Sequence, residues 1–424
     1  MGKYRLGEIA TVEISGVDKK IKDGEKKIRL CNFVDVYYNW AITIAQHDSF
    51  MPATARPNEI SKFQLRKGQV ALTKDSETRD DIGISTYIAD DFDDVILGYH
   101  CALITPQRDI LDGSYLNAIL HTEYAKKYFA CNASGSGQRY ALSVEALNSF
   151  PVPKIPLSEQ KQIGEIFSSL DKKIELNRQI NQNLEAMAKQ LYDYWFVQFD
   201  FPDEDGKPYK SSGGKMIWNE KLKKMIPKEW TNANIYQLAN ISKESVNPQA
   251  QPNDLFKHYS LPEYDKTRTH AEEYGADIQS AKFVVTNDCI LVSKLNPWTS
   301  RVICGNKESN QICSTEFVVW KPISMRTKGF LFMLAKSAKF IEYCTQGATG
   351  TSHSHRRINP ELMMKYEFPY NSEIAMKFSI FIENIIEQLH TNITQLKVLT
   401  KQRNELLPLL INGQVSVNSD LLHD

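Results

Sequence analysis

The 424-residue chain is predicted to adopt a mixed α/β (α+β) fold, with two pseudo-symmetric domains separated by a long antiparallel two-helix coiled coil. Three observations carry this prediction. Residues 158–195 and 372–410 each repeat apolar residues in alternating steps of four and three, the mark of a helix packed lengthwise on another helix. A shift of 215 (392 − 177) lays the first stretch on the second, with Asn177 falling on Asn392. Each stretch also follows a segment of short β-type runs built to a similar plan.

Residues 1–156 form the first predicted domain. Short runs at 27–30, 69–73, 82–88 and 95–105 read as strands, separated by Asp, Gly and Pro, and 115–129 reads as one helix. A Gly/Ser loop follows at 134–137. Pro151, Pro153 and Pro156 then read as a stiff hinge, because proline fixes its own φ and restricts the residue before it. Ser158 is a plausible N-cap for the long helix, although Lys161 stands where a capping box wants Glu or Gln.

Residues 157–201 are the first long helix. Ile163, Phe167, Leu170, Ile174, Asn177, Asn181, Leu184, Ala188, Leu191 and Trp195 make its seam. Residues 202–370 hold a polar, turn-rich linker and the second domain, in which 282–285 and 289–293 read as strands and 330–340 as a helix. Gly347-Ala348-Thr349-Gly350 answers the earlier Gly/Ser loop. Residues 371–424 are the second long helix and tail, with Phe378, Ile382, Ile385, Leu389, Asn392, Leu396, Leu399, Arg403, Leu406 and Leu410 on the seam and Gly413 placed for a C-terminal cap.

A helix of about 38 residues is ~57 Å long at ~1.5 Å per residue, too long for an average globular core. Antiparallel pairing of two such helices is expected to hold the domains at opposite ends of a rod. Asparagine at a seam lowers stability but fixes register, since a slipped pair leaves its amides unsatisfied. Asn177 and Asn392 are therefore expected register residues; the alternative is that both lie on a wetter flank.

Composition narrows the class. Hydrophobic content of 42% and charged content of 24% suit an ordinary globular protein. Lys and Arg total 51 and Asp and Glu total 51, so no global field draws the chain to nucleic acid, and any such contact must be local or shared with a basic partner. The 7 cysteines are scattered without a C-x-x-C pair, which suggests a reducing compartment and no zinc knuckle. No apolar run approaches the ~20 residues of a membrane span. A cytoplasmic location is expected.

Catalytic patterns fail on inspection. Asp203, Asp205 and Lys207 superficially match a metal-dependent nuclease signature, but they crowd into a Gly/Pro-rich turn. Asn296-Pro297-Trp298 lacks the second proline of an amino-methyltransferase motif, and no glycine-rich methyl-donor loop precedes it. Neither a phosphate loop nor a nucleophile elbow occurs. His353 and His355 have no third ligand or nearby carboxylate, so no metal site is expected.

The loops that remain suit DNA. Residues Thr351, Ser352, His353, His355, Arg356 and Arg357 combine hydroxyls with cations, and Ser136, Gln138, Arg139 and Tyr140 offer the same chemistry in the first half. Hydroxyls and close backbone bind phosphate oxygens, arginine forks onto guanine and glutamine suits adenine. Lys74 and Arg79 lie in a strand-to-strand loop whose counterpart holds Lys294, Trp298 and Arg301. Basic loops are often no more than solvated faces; matching loops at matching places in both halves favour contact.

Together the central segment Pro156-Leu157-Ser158-Glu159-Gln160-Lys161-Gln162-Ile163 through Trp195-Phe196-Val197-Gln198-Phe199-Asp200-Phe201-Pro202, the linker Gly206-Lys207-Pro208-Tyr209-Lys210-Ser211-Ser212-Gly213-Gly214 and the tail Gln402-Arg403-Asn404-Glu405-Leu406-Leu407-Pro408-Leu409-Leu410-Ile411-Asn412-Gly413 resemble the specificity subunit of Type I restriction–modification systems. The resemblance covers the whole chain. It implies two variable target-recognition domains, each reading one half of a bipartite double-stranded DNA site, and a coiled coil whose length sets the gap. It implies no catalysis and no cofactor in this chain. It also implies two modification (methyltransferase) subunits using S-adenosylmethionine, and restriction (translocase and endonuclease) subunits using ATP and Mg. Two other readings stand beside it: a stand-alone DNA-modifying enzyme, and a coiled-coil scaffold without DNA specificity.

Overall fold

The computed structural model describes residues 2–135, 139–350 and 355–411. The chain divides into two compact units, Met1–Leu176 with Lys397–Asp424 and Asn177–Leu396, so the division runs inside both long helices rather than at their ends.

In the first unit a five-stranded sheet has the order Ala10–Ile14, Cys101–Pro106, Val70–Thr73, Ser85–Ile88, Ala41–Ile42, antiparallel except for the last pair. A second sheet sets Lys26–Cys31 between antiparallel Met51–Ala55 and parallel Val95–Leu97. The second unit repeats this arrangement. Ala239–Ser242, Phe317–Pro322, Ile290–Ser293 and Val302–Cys304 form an antiparallel sheet in the corresponding order, and Leu255–Tyr259 lies between antiparallel Ala271–Tyr274 and parallel Gln311–Cys313. Ala10 pairs with Pro106 as Ala239 pairs with Pro322, which fixes the correspondence. Ala10 and Ser114 are 104 positions apart, whereas Ala239 and Gly329 are only 90 apart. Loop length hides the strand repeat from a single fixed offset.

Several expected elements take another form. The run 95–105 is two strands, Val95–Leu97 and Cys101–Pro106, in different sheets, because His100 adopts a left-handed φ of 71° and turns the chain. The strand expected at 82–88 starts only at Ser85. The single helix expected at 115–129 is two, Gly113–Leu120 and Glu123–Asn132, with Thr122 Oγ1 capping the second at Ala125 N. Lys328–Lys336 and Ala338–Gln346 repeat the break, with Ser337 as the cap. The proline hinge is a strand, Pro151–Pro153, paired with Lys3–Arg5; a two-stranded ribbon has only edges, where a missing N–H is tolerated. Ser158 sits inside the helix Leu157–Tyr192, and Pro156 stands at its start, accepting from Gln160 N.

The seam follows its sequence pattern. Between Ile174 and Ala188 the residues of the first long helix withdrawn from solvent are Asn177, Asn181 and Leu184, which are seam positions. Inside the second unit Trp195 packs on Phe378 at 5.6 Å and Asn392 Nδ2 donates to Asn181 Oδ1 at 3.1 Å, so the second long helix, Ser372–Ile411, runs antiparallel to the first. Asn392 therefore bonds across the seam to Asn181, and not to its repeat equivalent Asn177; the same register carries Asn177 to the level of Leu396. Antiparallel pairing joins residues related by the pseudo-twofold rather than by translation, which the sequence shift alone misses. A single π turn, Asp193–Val197, then rephases the chain so that Tyr192, Trp195, Phe196 and Phe199 all enter the core. In the first unit Arg403 reaches Asp171 at 4.0 Å and lies 5.5 Å over the Trp40 ring. The side chain of Leu410 and all of Gly413 lie outside the described residues.

Each long helix meets its domain through one small-residue pair. In the first unit Gly164 faces Ser114, and a Cβ on Gly164 would collide with the Ser114 hydroxyl. In the second the positions are exchanged: Gly329 faces Ser379, whose hydroxyl accepts from Phe330 N at 2.9 Å and donates to Ala375 O at 2.8 Å. One member of each pair must lack a side chain for the backbones to approach.

Candidate nucleic-acid interface

The strand Val70–Thr73 leaves the first unit's large sheet at Lys74, and Asp75–Ser76 joins a small ladder with Tyr140–Ala141 and Ser134–Gly135. Lys74 N donates to His100 O and Leu142 N donates to Lys74 O. The second unit builds the same ladder from isolated bridges, Leu295 to Arg357 and Thr349 to Arg357, with Lys294 N donating to Glu316 O and Ile358 N to Lys294 O. Thr349 thus answers Ser134, and Gly350 answers Gly135. Gly135 has a φ of 136°, which suits glycine; a Cβ there would strike Arg139 O, and one on Gly350 would strike His355 O. These glycines let the chain approach its own ladder.

The ladder gathers the first unit's expected residues. Asp75, 9% exposed at its side chain, accepts from Lys74 Nζ at 2.9 Å, from Arg139 Nη2 at 3.1 Å and from His100 Nδ1. Burial pushes the Asp75 carboxyl up, but the bonds from Lys74, His100 and Arg139 outweigh it and hold the group below the usual carboxylate range. Lys74 is accordingly committed to Asp75. Arg139 and Arg79 are exposed, and the Arg79 guanidinium lies 5.0 Å over the Tyr140 ring. Tyr37 hydroxyl donates to Asp81 at 2.7 Å, tying the helix Phe33–Tyr38 to the turn Arg79–Asp81.

The second unit's residues also converge, with different commitments. Trp298 is 44% exposed on the turn Pro297–Thr299, which is flanked by two left-handed residues, Asn296 (φ 48°) and Ser300 (φ 45°). Such backbone costs about 1 kcal/mol or more per residue and needs support. Asn296 N donates to Arg356 O at 2.7 Å and Arg356 N returns a bond to Asn296 Oδ1 at 3.0 Å. Arg301 forks onto Asp265 with both contacts at 2.7 Å, and Arg357 grips Glu316 at 3.0 Å, so these two guanidinium groups already hold carboxylates. The Asp265 bond to Arg301 draws the Asp265 carboxyl below its usual range. His355 is exposed. Ser136, Gln138, Thr351, Ser352 and His353 lie outside the described residues.

Sequence reasoning missed the anionic partners: Asp75, Asp81, Asp265 and Glu316, with His100 beside them. Their contacts span up to 64 positions, and only the adjacency of Asp75 to Lys74 was visible beforehand. Asp203 forms a local turn, accepting from Asp205 N and Lys207 N. Among the described residues no group of three or more His, Cys, Asp or Glu is arranged to hold a metal, and no helix is long and apolar enough to cross a membrane.

The arrangement offers exposed cations, a stacked arginine–tyrosine pair and a rigidly mounted tryptophan, chemistry for phosphates and base edges. Residues 2–186 match the family model described as the Type I restriction modification DNA specificity domain. The chain is 24% identical over 420 residues to the Type I restriction enzyme HindI specificity subunit of Haemophilus influenzae, covering 84% of this chain and 88% of that protein. It is 24% identical over 323 residues to the MjaIX specificity subunit of Methanocaldococcus jannaschii, covering 73% and 71%. Among solved structures, the Type-I restriction-modification system S subunit from M. genitalium superposes with a TM-score of 0.60 at 13% identity over 96% of this chain and 95% of that one, a likeness of fold.

Proposed function

Because the chain belongs to the family of Type I restriction–modification specificity subunits, we propose that each of its two units reads one half of a bipartite DNA site. It is a non-catalytic DNA-specificity component of a restriction–modification complex. The observation that carries the two-part reading is the repeated ladder: the same three chain segments meet in both units, and each meeting point gathers basic and aromatic side chains that differ between units. A shared frame bearing different side chains suits two readers of different bases. Arg79, Arg139 and Tyr140 face the first half-site, and Trp298, Lys294, His355 and Arg356 the second. Ser136, Gln138, Thr351, Ser352 and His353 join these candidates on their chemistry alone. Arg301, Arg357 and Lys74 act chiefly by holding carboxylates.

The paired helices set the gap between the half-sites and dock two modification subunits, which bind S-adenosylmethionine; restriction subunits supply ATP- and Mg-dependent translocation and cleavage, in the cytoplasm. The target-recognition domains on this reading are 1–156 and 202–370. Methylome sequencing of a host expressing this chain with its cognate modification subunit tests it. A two-part methylated motif with a fixed gap is the expected result; a continuous palindrome, or no new methylation, overturns the reading.

A further inference from the structure

In both units a short helix grips the loop that carries the candidate reading residues. The helix Phe33–Tyr38 follows the strand Lys26–Cys31 and is bonded to the turn Arg79–Asp81, Tyr37 donating its hydroxyl to Asp81. The helix Leu261–Thr267 follows the corresponding strand Leu255–Tyr259, and its Asp265 receives the fork of Arg301 from the loop holding Trp298. The contact recurs at the same place in the fold, yet the chemistry is reversed. The helix donates and the loop supplies the carboxylate in the first unit; the helix supplies the carboxylate and the loop donates in the second. Side chains inherited unchanged from a duplicated ancestor would keep their polarity, so the recurrence points to a demand for the contact itself.

The demand is visible in the loops. Asn296 and Ser300 hold left-handed backbone on either side of the turn Pro297–Thr299. Arg301, one residue beyond Ser300, is 12% exposed at its side chain and reaches back to Leu295 O as well as to Asp265. In the first unit Asp81 lies two residues beyond Arg79, whose guanidinium covers the Tyr140 ring. We propose that Tyr37 and Asp265 are positioning residues for DNA recognition, each latching the reading loop of its own unit, and that Arg301 serves the latch rather than the DNA. This rests on the reading of the two units as half-site readers. A latch of this kind decides which base a loop residue reaches, so releasing it relaxes one half-site and leaves the other intact.

The test is methylome sequencing of Tyr37→Phe, Asp265→Ala and the exchange variant Asp265→Arg/Arg301→Asp, each expressed with the cognate modification subunit, beside the unaltered chain. Tyr37→Phe is expected to reduce discrimination about tenfold at positions of one half-site only, and Asp265→Ala at the other only, the scale of one lost base contact. The gap and the untouched half-site stay as they were, and the exchange variant recovers most of the discrimination lost by Asp265→Ala. Thermal melting of each purified variant is expected to stay near that of the unaltered chain. Unchanged half-sites in both single variants, or a uniform loss of methylation tracking a lower melting temperature, would overturn the latch. Absence of a two-part motif for the unaltered chain would instead overturn the reading it rests on.

Discussion

Asp75 organises the first unit's candidate surface by bonding the side chains that approach it. Lys74, His100 and Arg139 converge on one carboxylate, and each is held by it. Asp75→Ala leaves like charges facing one another and is expected to destabilise the first unit by about 2 kcal/mol, measured by urea denaturation. With its pKa held down, Asp75 contributes stability that is present above its unfolded value near pH 4 and is lost as pH falls through the lower folded value. His121 acts in a higher window. Burial drives its pKa down to about 4, against a bond to Ser85 O, and its ring stacks on Trp40 at 4.3 Å. The unfolded chain therefore binds the proton first, and stability drains away as pH falls from about 6.5 toward 4. His121→Gln is expected to remove about 2 kcal/mol of that pH dependence, seen by comparing denaturation midpoints at pH 7.5 and pH 5. Lys74, Arg79, Arg139 and Trp298 were legible in sequence as loop residues. The commitments of Arg79, Arg139 and Arg301 were not, because the partners that hold them, Tyr140, Asp75 and Asp265, sit on other strands and helices.

At the scale of elements the long helices obey local rules. Their seam is a heptad of apolar residues interrupted by asparagines, and the hydrogen bond from Asn392 to Asn181 sits where the interruption falls. Asn392→Leu is expected to cost about 1 kcal/mol by leaving the Asn181 amide facing hydrocarbon. Replacing Asn181 and Asn392 together with leucine is expected to raise the melting temperature while making the gap of the methylated motif heterogeneous, since apolar seams slip more easily. An unchanged single gap in that double variant would remove the register role. The helix–domain junctions are steric. Gly164→Ser is expected to destabilise by about 2 kcal/mol through collision with Ser114, and adding Ser114→Gly should restore the loss by reproducing the second unit's arrangement. Both effects are read from thermal melts. The heptad and the helix start at Ser372 were legible because they depend on neighbours in the sequence, whereas the first helix, expected over 157–201, keeps its α form only to Tyr192. The π turn at Asp193–Val197 was not legible, since it is set by Trp195 and Phe196 packing on Phe378.

For the whole molecule the expected ruler behaviour follows from the paired helices. Inserting one helical turn near Leu184 is expected to lengthen the gap and leave both half-sites unchanged, read by methylome sequencing; altered half-sites at constant gap would sink the ruler. The duplication was evident in the helices from residue 113 and along the seam, where the offset is 215 (328 − 113, 378 − 163), although the short helices Val144–Asn148 and Pro360–Met364 between them are offset by 216 (360 − 144). Before that point the strands also repeat, but unequal loops shift the offset, and hydrogen-bond register was needed to align Ala10 with Ala239. The sequence by itself determined what depends on period and local chemistry: two halves, two seam helices, the strand-rich domains and the loops rich in cations and glycine. The tertiary structure decided everything that joins distant positions. It paired Asn392 with Asn181 rather than with Asn177, turned the proline hinge into a strand, and assigned Arg301 and Arg357 to carboxylates. The physical reason is the same in each case: periodicity records which face a residue presents, whereas its partner is chosen by chain segments that sequence spacing does not relate.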